Sequence, residues 1–413
     1  MPFAFWLYPA PDPQKLESAF IRLIERHEPL RTSFGWEGLE PVQIVHPSVA
    51  FRLERVQASL ELPEELINRF EEPFALDKPP LLRAALAEYP DGRSLLLLQL
   101  HHIIADGVSL GLLLDDVNAL LSSLELSPLP LQYKDYCEWL HRREPSPVHE
   151  AYWQRRFENY GDTPDLPIDF PRTEQRSYDG GTLSVQWDQD MAEAIRKLAH
   201  RCGTTVHLTM LAAYCVLLSK VTDSREVIVG SLHAGRDVPE TRSMVGMFVH
   251  TLAHRCHVEG RLTFEQLTRV VKDGVAKDYA HADYPFERLV RSLKLRGNAR
   301  NPLFDTMFVL QNLEPQLTGD GEGQIQWSPH VLEEKWSRFD LVFQAWEHTE
   351  GMMLWVTYAK ALFRKATVER LADDFRKLLV QLTEQPDAPL DNVDLTESYR
   401  AISASRHTLD FQF

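Results

Sequence analysis

SLLLLQLHHIIADGVSLGLLLDDVNALLSSL, residues 94–124, is the stretch on which the fold turns. It opens with four consecutive leucines, Leu95 to Leu98. A strand covered on one face alternates apolar and polar residues, whereas a strand covered on both faces reads as a continuous apolar run. The run therefore predicts a strand buried on both sides. Residues 108–124 have instead the spacing of an amphipathic helix, with Ser109 as its N-terminal cap. The order is buried strand, loop, helix. The junction holds a polar cluster: His101, His102, Asp106 and Gly107.

Working outward, QKLESAFIRLIERH (14–27) has helical apolar spacing, and RTSFGW (31–36) reads as a strand entering a turn. A short helical pattern covers 64–70. Residues 73–92 pass through a proline break into an apolar strand, and Asp91-Gly92 marks a hairpin turn. Residues 144–147 and 161–182 are rich in Pro, Gly and polar side chains, and the second stretch is the best linker. Beyond it the chain resembles its own first half in outline. A strand at 183–187, helices at 190–202 and 204–220, and a buried strand at 226–235 lead to FVHTLAHRCHV. A helix at 263–280 follows, then strands at 304–311, 324–330, 338–347 and 352–358 and a last helix at 367–383. The pattern is α/β, with two lobes at 1–165 and 183–413 and a linker at 166–182.

The 413 residues carry 44 Lys and Arg against 60 Asp and Glu, a net charge of −16. That balance argues against nucleic acid and against an anionic membrane surface, both of which reward clustered cations. Hydrophobic residues make up 44%, enough for a substantial core. Cys137, Cys202, Cys215 and Cys256 lie far apart with no C-x-x-C pair, so neither a zinc site nor a disulfide framework is expected. No secretory signal and no apolar run of about 18 residues is present, and the cytoplasm is the expected compartment.

The cluster H-H-x-x-x-D-G (101–107) is the sharpest chemical feature. Partial desolvation at the end of a buried strand favours a neutral imidazole, able to accept a proton. Asp106 is placed either to hydrogen-bond the imidazole or to hold the loop by pairing with an arginine. Gly107 permits close backbone approach and an unusual φ. The following helix N-terminus supplies N–H groups for an oxyanion. The bland alternative is a pair of satisfied core histidines with Asp106 as a helix cap. Metal binding is disfavoured. FVHTLAHRCHV alternates as a strand, which puts His250 and His254 on one face and His257 on the other, with no carboxylate at ligand spacing. No G-x-S-x-G elbow, Walker A loop or G-x-G-x-x-G is present, so any acyl group handled should arrive already activated.

Several segments together resemble the condensation domains of nonribosomal peptide synthetases, within the chloramphenicol-acetyltransferase-like acyltransferases. These are RHEPLRTSF (26–34), HHIIADGVS (101–109), YKDYCEWL (133–140), GRDVPETRSMVGMFVHTLAHR (235–255), YPFERLV with NPLFDTMFVLQN (284–312), and RFDLVF (338–343). The resemblance implies two chloramphenicol-acetyltransferase-like lobes in a V-shaped pseudo-dimer, each a mixed sheet with packed helices. It implies donor and acceptor peptidyl carrier proteins at opposite ends of a tunnel, neighbouring synthetase domains, and substrates delivered as thioesters on phosphopantetheine arms. No tightly bound cofactor and no metal is implied, and a monomer is expected. The acceptor amine attacks the donor thioester and an amide forms.

Carried over residue by residue, His102 is the central catalytic candidate, as general base or as a group that orients the amine. Asp106 and Arg31 form a buried ion pair supporting the loop. Gly107 presents its N–H to the carbonyl oxygen, and His101 supports the strand. His250, where the family has Asn, and Trp336 are the tunnel and lobe-interface candidates. Tyr133, Tyr136 and Trp139 read as packing residues. The family's S-x-x-Q segment is missing, so the first strand is expected to survive only in part, as FAFWLYP (3–9). Alternatives within the family are an ester-forming or free-amine acyltransferase. A non-catalytic recruitment platform is the alternative from another class. An epimerase lacks an assignable acidic partner, and a cyclase would carry D-x-x-x-x-D in place of the histidines.

Overall fold

The computed structural model describes residues 1–58, 66, 70, 72–143, 146–160, 163–295, 300–311, 325–330, 332, 335–348 and 350–395. The chain divides into two compact units. The first comprises Met1–Glu144, Ala234–Val249 and Leu313–Leu332, and the second Pro145–His233, His250–Asn312 and Glu333–Phe413.

In the first unit, β1 (Pro2–Tyr8), β4 (Glu54–Gln57), β5 (Leu82–Glu88), β6 (Ser94–Leu100) and β11 (Gln326–His330) form one sheet. Their order is β11-β1-β6-β5-β4. β2 (Thr32–Glu37) and β3 (Glu40–Val45) make a separate ribbon. β6 runs antiparallel between β1 and β5, and all seven of its residues are buried. Leu96, Leu98 and Leu100 pack with Leu16 and Phe20 of α1 (Pro13–Arg26) and Leu113 and Leu114 of α2 (Gly107–Leu121). Leu95 and Leu97 cluster instead with Ala85, Leu66 and Phe70. The four leucines are thus divided between two cores, each contributing about 2 kcal/mol relative to exposure. Gly92, at φ +82°, closes the β5–β6 hairpin as Asp91-Gly92 predicts. The helix expected at 64–70 lies outside the described residues apart from Leu66 and Phe70.

Two expectations here need correction. β1 is a seven-residue strand, hydrogen-bonded on both sides to β6 and β11, rather than a remnant. The cap of α2 is Asp106, whose carboxylate accepts the Ser109 N–H at 2.8 Å, rather than Ser109 itself.

In the second unit, β7 (Gly180–Trp187), β8 (Glu226–His233), β9 (His250–His257), β10 (Thr306–Gln311), β12 (Leu341–His348) and β13 (Gly351–Ala359) are ordered β7-β13-β12-β10-β8-β9. β10 is parallel to β8 and β12, and the other pairs are antiparallel. One core gathers α5 (Gln189–Arg201), α6 (Val206–Thr222), α7 (Phe264–Ala280) and α9 (Lys365–Glu384) around Tyr214, Phe308, Phe343 and Phe375. A second core holds Trp153 of α4 (Pro147–Arg156), Leu289 of α8 (Phe286–Ser292) and Phe304. Each unit is therefore a mixed sheet with packed helices. No single helix among the described residues is long and apolar enough to cross a membrane.

The division differs from the expected 1–165, 166–182 and 183–413 in three places, each with a physical cause. First, α4 belongs to the second unit because its side chains are used up there. Trp153 is buried and donates to His281 O at 2.9 Å. Tyr152 Oη and Arg156 Nε both donate to Asp278 Oδ1, at 2.5 and 3.1 Å. Second, 166–182 is not a spacer. Leu166 is buried in the core, Asp169 accepts from Arg364 N and Thr367 Oγ1, and Arg172 meets Asp340 at 2.5 Å. Polar and proline-rich composition marks an irregular path here, one held down by ion pairs. Third, 234–249 and 313–332 return to the first unit, where Arg236 reaches Asp106 and β11 pairs with β1.

Asp278, fully buried, also takes a 2.7 Å hydrogen bond from His254 Nδ1, while His254 Nε2 lies 2.6 Å from Ser231 Oγ. Burial alone would raise the Asp278 carboxyl, but the bonds from His254 and Tyr152 and the charge of Arg156 hold it below the usual carboxylate value. A depressed folded-state pKa stabilises above the unfolded value and is lost as pH falls through the folded one. Asp278→Ala should cost about 3–5 kcal/mol by urea unfolding at pH 7. The gap to wild type should shrink below about pH 4.

Candidate active site

The H-H-x-x-x-D-G residues occupy the turn between β6 and α2. His101 N–H bonds to Leu81 O at 3.0 Å, and its Nδ1 accepts the Ile103 N–H at 3.1 Å. Its ring meets Phe74 edge-on at 6.0 Å. His101 thus closes the turn at the strand end. His102 is half-buried, and its Nδ1 is a buried atom with no hydrogen-bond partner among the described residues. Gly107 is the first residue of α2 and is not among the glycines with positive φ. Its contribution is the missing side chain and a first-turn N–H that the helix ladder leaves over, not the unusual φ expected.

Asp106 has no solvent exposure. Its Oδ1 accepts from Ser109 N (2.8 Å), Ser109 Oγ (2.7 Å) and Arg236 Nη2 (2.9 Å). Its Oδ2 accepts from Phe248 N (3.1 Å) and Arg236 Nη2 (3.2 Å). The carboxylate is saturated by these donors, and none of them is His102. Arg236 is itself buried, with Nη1 donating to Thr241 O at 2.5 Å and Met244 O at 2.6 Å, and the Phe248 ring 4.2 Å from its guanidinium carbon. Two buried charges are tolerable because they neutralise each other and both Nη atoms of Arg236 and both oxygens of Asp106 are bonded; among the described residues the Arg236 Nε alone of these groups has no partner.

Arg31 is not the partner of Asp106, contrary to expectation. Its Nη1 donates to His46 O at 2.5 Å and its Nη2 lies 3.6 Å from Glu28, so it fastens the end of β3. Elsewhere in the same segment, Arg26 Nε and His27 Nε2 both meet Asp116 of α2, at 2.9 and 2.7 Å. The R-H-x-x-L-R-T segment therefore grips the helix behind the histidines rather than the aspartate in front of it. Arg236, ten residues before Gly246, is the partner that the sequence does not single out. Its only signal is a cation inside GRDVPETRSMVGMF, one of the segments that carry the resemblance.

A second layer braces the 244–248 segment. Gly246 N donates to Ser109 Oγ at 3.0 Å, and Tyr133 of α3 (Tyr133–His141) donates to Met247 O at 2.6 Å. A Cβ on Gly246 would lie 2.1 Å from Tyr133 Cδ2, so only glycine fits. Tyr133 and Tyr136 pack on Phe248 with ring centroids 5.1 and 4.8 Å apart. Burial pushes the Tyr133 hydroxyl far above its ordinary range, keeping it a neutral donor. Trp139 is partly exposed, with the Arg143 guanidinium 4.4 Å over its ring.

The two remaining candidates lie in the second unit. His250 opens β9 opposite His233, with ring centroids 6.4 Å apart. Trp336 is 68% exposed and bridges Asp179. His102, Asp106, Gly107 and His101 are thus brought together in one turn, and Arg31, in the same unit, bonds elsewhere.

Comparison with known proteins shows the family of the chain. The family model for the condensation domain matches residues 1–401. The chain is 38% identical over 408 residues to surfactin synthase subunit 1 of Bacillus subtilis (strain 168), covering 98% of this chain and 11% of that protein. It is also 38% identical over 390 residues to tyrocidine synthase 2 of Brevibacillus parabrevis, covering 93% and 11%. The chain thus spans about a tenth of the length of these curated relatives. The condensation domain from the Monacolin K polyketide synthase MokA superposes with a TM-score of 0.85 at 19% identity, over 94% of this chain and 93% of that one, which shows a shared fold.

Arg236→Met strands a buried carboxylate and should cost about 3–5 kcal/mol by urea unfolding, whereas Arg31→Met should cost about 1 kcal/mol. Equal costs for the two would contradict the assignment of the ion pair. Gly246→Ala should lower the melting temperature by several degrees, and Tyr133→Ala in the same chain should recover part of the loss.

Proposed function

The chain belongs to the condensation-domain family of nonribosomal peptide synthetases, whose members form peptide bonds, and from that premise we propose that it joins two carrier-bound substrates. The donor is an acyl, aminoacyl or peptidyl thioester. The acceptor is an aminoacyl thioester with a free amine, and each hangs on the phosphopantetheine arm of a peptidyl carrier protein. The amine nitrogen bonds to the thioester carbonyl carbon, the C–S bond breaks, the donor arm leaves as a thiol, and the amine proton ends on that sulfur. No nucleotide is consumed, because the thioester is already activated.

The observation that carries this reading is the state of His102. It stands on a turn held rigid by the Asp106–Arg236 pair, next to the first N–H groups of α2, with its own Nδ1 uncommitted. In a hydrolytic triad a carboxylate orients the imidazole and stabilises its cation. Here Asp106 is fully occupied by Ser109, Arg236 and Phe248. His102 therefore lacks a carboxylate behind it and is better suited to orient the amine and shuttle its proton than to act as a strong base. An amine with pKa near 8 is partly neutral at pH 7, so a strong base is not required. The Gly107 N–H, in the first turn of α2, is the donor this reading assigns to the oxygen that becomes negative during attack. Proximity of two tethered reactants supplies the remainder.

The test is a turnover assay with one acylated donor carrier and one aminoacylated acceptor carrier, followed by intact-protein mass spectrometry. Wild type should give acceptor-bound amide, and His102→Ala should slow it about 100-fold or more. Unchanged turnover in the variant would remove His102 from the chemistry. Carrier binding without any wild-type product would favour a recruitment platform instead.

A further inference from the structure

His149 of α4 and His281, the residue that caps the C-terminus of α7, have their Nδ1 atoms 2.7 Å apart. The rings meet edge-on, with centroids 4.9 Å apart and an interplanar angle of 75°. Both nitrogens therefore lie between the two ring centres and point at one another. One Nδ1 must donate and the other accept, so the contact is an N–H···N hydrogen bond that holds a single proton. A chelated metal ion would need both lone pairs to converge on a third point instead.

The pair sits where α4 is fastened. The chain enters the second unit at Pro145, two residues before α4 begins. Besides His149, two further side chains of α4 hold His281. The Tyr152 ring stacks on it at 4.0 Å, and Trp153 Nε1 donates to its carbonyl oxygen at 2.9 Å. The titratable and charged groups around the pair are Glu150 and Tyr152 on α4, with Arg156 one turn on, Asp278 on α7, and Asp283, Tyr284 and Arg288 in the segment leading into α8. Tyr152 and Arg156 are bonded to Asp278, and Glu150 engages the Tyr284 hydroxyl. Burial, and then His149, hold His281 below the ordinary histidine value, with Asp278 opposing them. A folded-state pKa below the unfolded one contributes stability above the unfolded value of about 6.5, and that stability is lost as pH falls through the folded one.

We propose that His149 and His281 form a proton-operated clasp, which fastens α4 to the end of α7 near neutral pH and releases it in mild acid. A first added proton goes to the Nε2 of the donor ring and leaves the N–H···N bond intact. A second puts an N–H on both Nδ1 atoms, so that two like charges face each other at the 2.7 Å contact and the rings must part. The Tyr152 stack and the Trp153 bond to His281 share that contact and loosen with it. The element released is the first helix of the second unit. The inference stands apart from the condensation reading and needs no carrier or substrate to be tested.

The test is amide hydrogen exchange of the full chain between about pH 7.5 and about pH 5, the range in which histidine titrates. It is read by mass spectrometry on peptides covering α4 and corrected for the intrinsic pH dependence of exchange. In wild type the protection of α4 should fall by about tenfold for each pH unit below the second protonation, while the core helix α6 stays protected. Glutamine can donate and accept a hydrogen bond but takes up no proton. In His149→Gln and in His281→Gln, whatever the protection of α4 at neutral pH, it should no longer change over this range. A reading that needs no variant comes from the histidine ring 15N shifts of the wild type. Two coupled titrations should appear, the lower one coinciding with the loss of protection. Protection of α4 that is flat in wild type, or two independent histidine titrations, would overturn the clasp. An equal fall in both variants would overturn it as well and assign the acid sensitivity to another group. Protection that rises with added Zn²⁺ and drops with a chelator in wild type, but in neither variant, would make the pair a metal site instead of a clasp.

Discussion

The Asp106 carboxylate is buried without exposure, and much of the first unit is arranged to make that tolerable. An isolated buried carboxylate would protonate or unfold its surroundings. Here the compensation is drawn from the next helical turn and from two residues of one distant segment. Ser109 lies on the next turn, Arg236 arrives from beyond β8, and the Phe248 N–H comes from the segment before β9. Those distant donors explain why 234–249 leaves the second unit's stretch of sequence and returns to the first. They also make the turn carrying His102 a consequence of tertiary structure, since Ser109 alone would leave the buried carboxylate without its arginine partner.

That dependence sets what can be read from sequence. The strand at 94–100 and the helix after it are legible because burial on two faces leaves a continuous apolar run and burial on one face leaves a helical period. The hairpin at Asp91-Gly92 is legible because positive φ at Gly92 selects its residue. The six segments of the family resemblance single out the H-H-x-x-x-D-G turn. What sequence does not carry are the pairings across long separations. Arg31 and Arg236 both sit inside recognisable segments, and no periodicity chooses between them. The choice is made by where β3 and the 244–248 segment come to lie. The linker reading at 166–182 fails for a related reason. Proline and polar residues mark a path without regular hydrogen bonding, but Asp169 and Arg172 anchor this path in ways composition does not record.

Asp278 presents the same physics in a place with no assigned chemistry. It is buried, held by Arg156, Tyr152 and His254, and it ties α4 to the second unit. Its Ser231–His254–Asp278 chain has the hydrogen-bond order of a hydrolytic triad, yet Ser231 is 1% exposed and belongs to the interior. Hydrogen-bond order alone is therefore not a catalytic signature. Access of the terminal group to substrate is what separates a site from a brace.

Set beside that brace, the His102 turn shows the opposite division of labour. At Asp278 the histidine is bound on both nitrogens and the carboxylate serves it. At Asp106 the carboxylate serves only the backbone, a serine and an arginine, and the adjacent histidine keeps a nitrogen free. A reaction that starts from an activated thioester and a partly neutral amine demands little proton-abstracting power. It demands that two large tethered groups meet in one orientation, so rigidity of the turn matters more than basicity of the ring. The costly feature of this site, a fully buried ion pair, is accordingly spent on geometry. On the proposed condensation reading, the electrostatic contribution to the transition state would fall to the N–H groups at the start of α2, next to the cap that Asp106 provides.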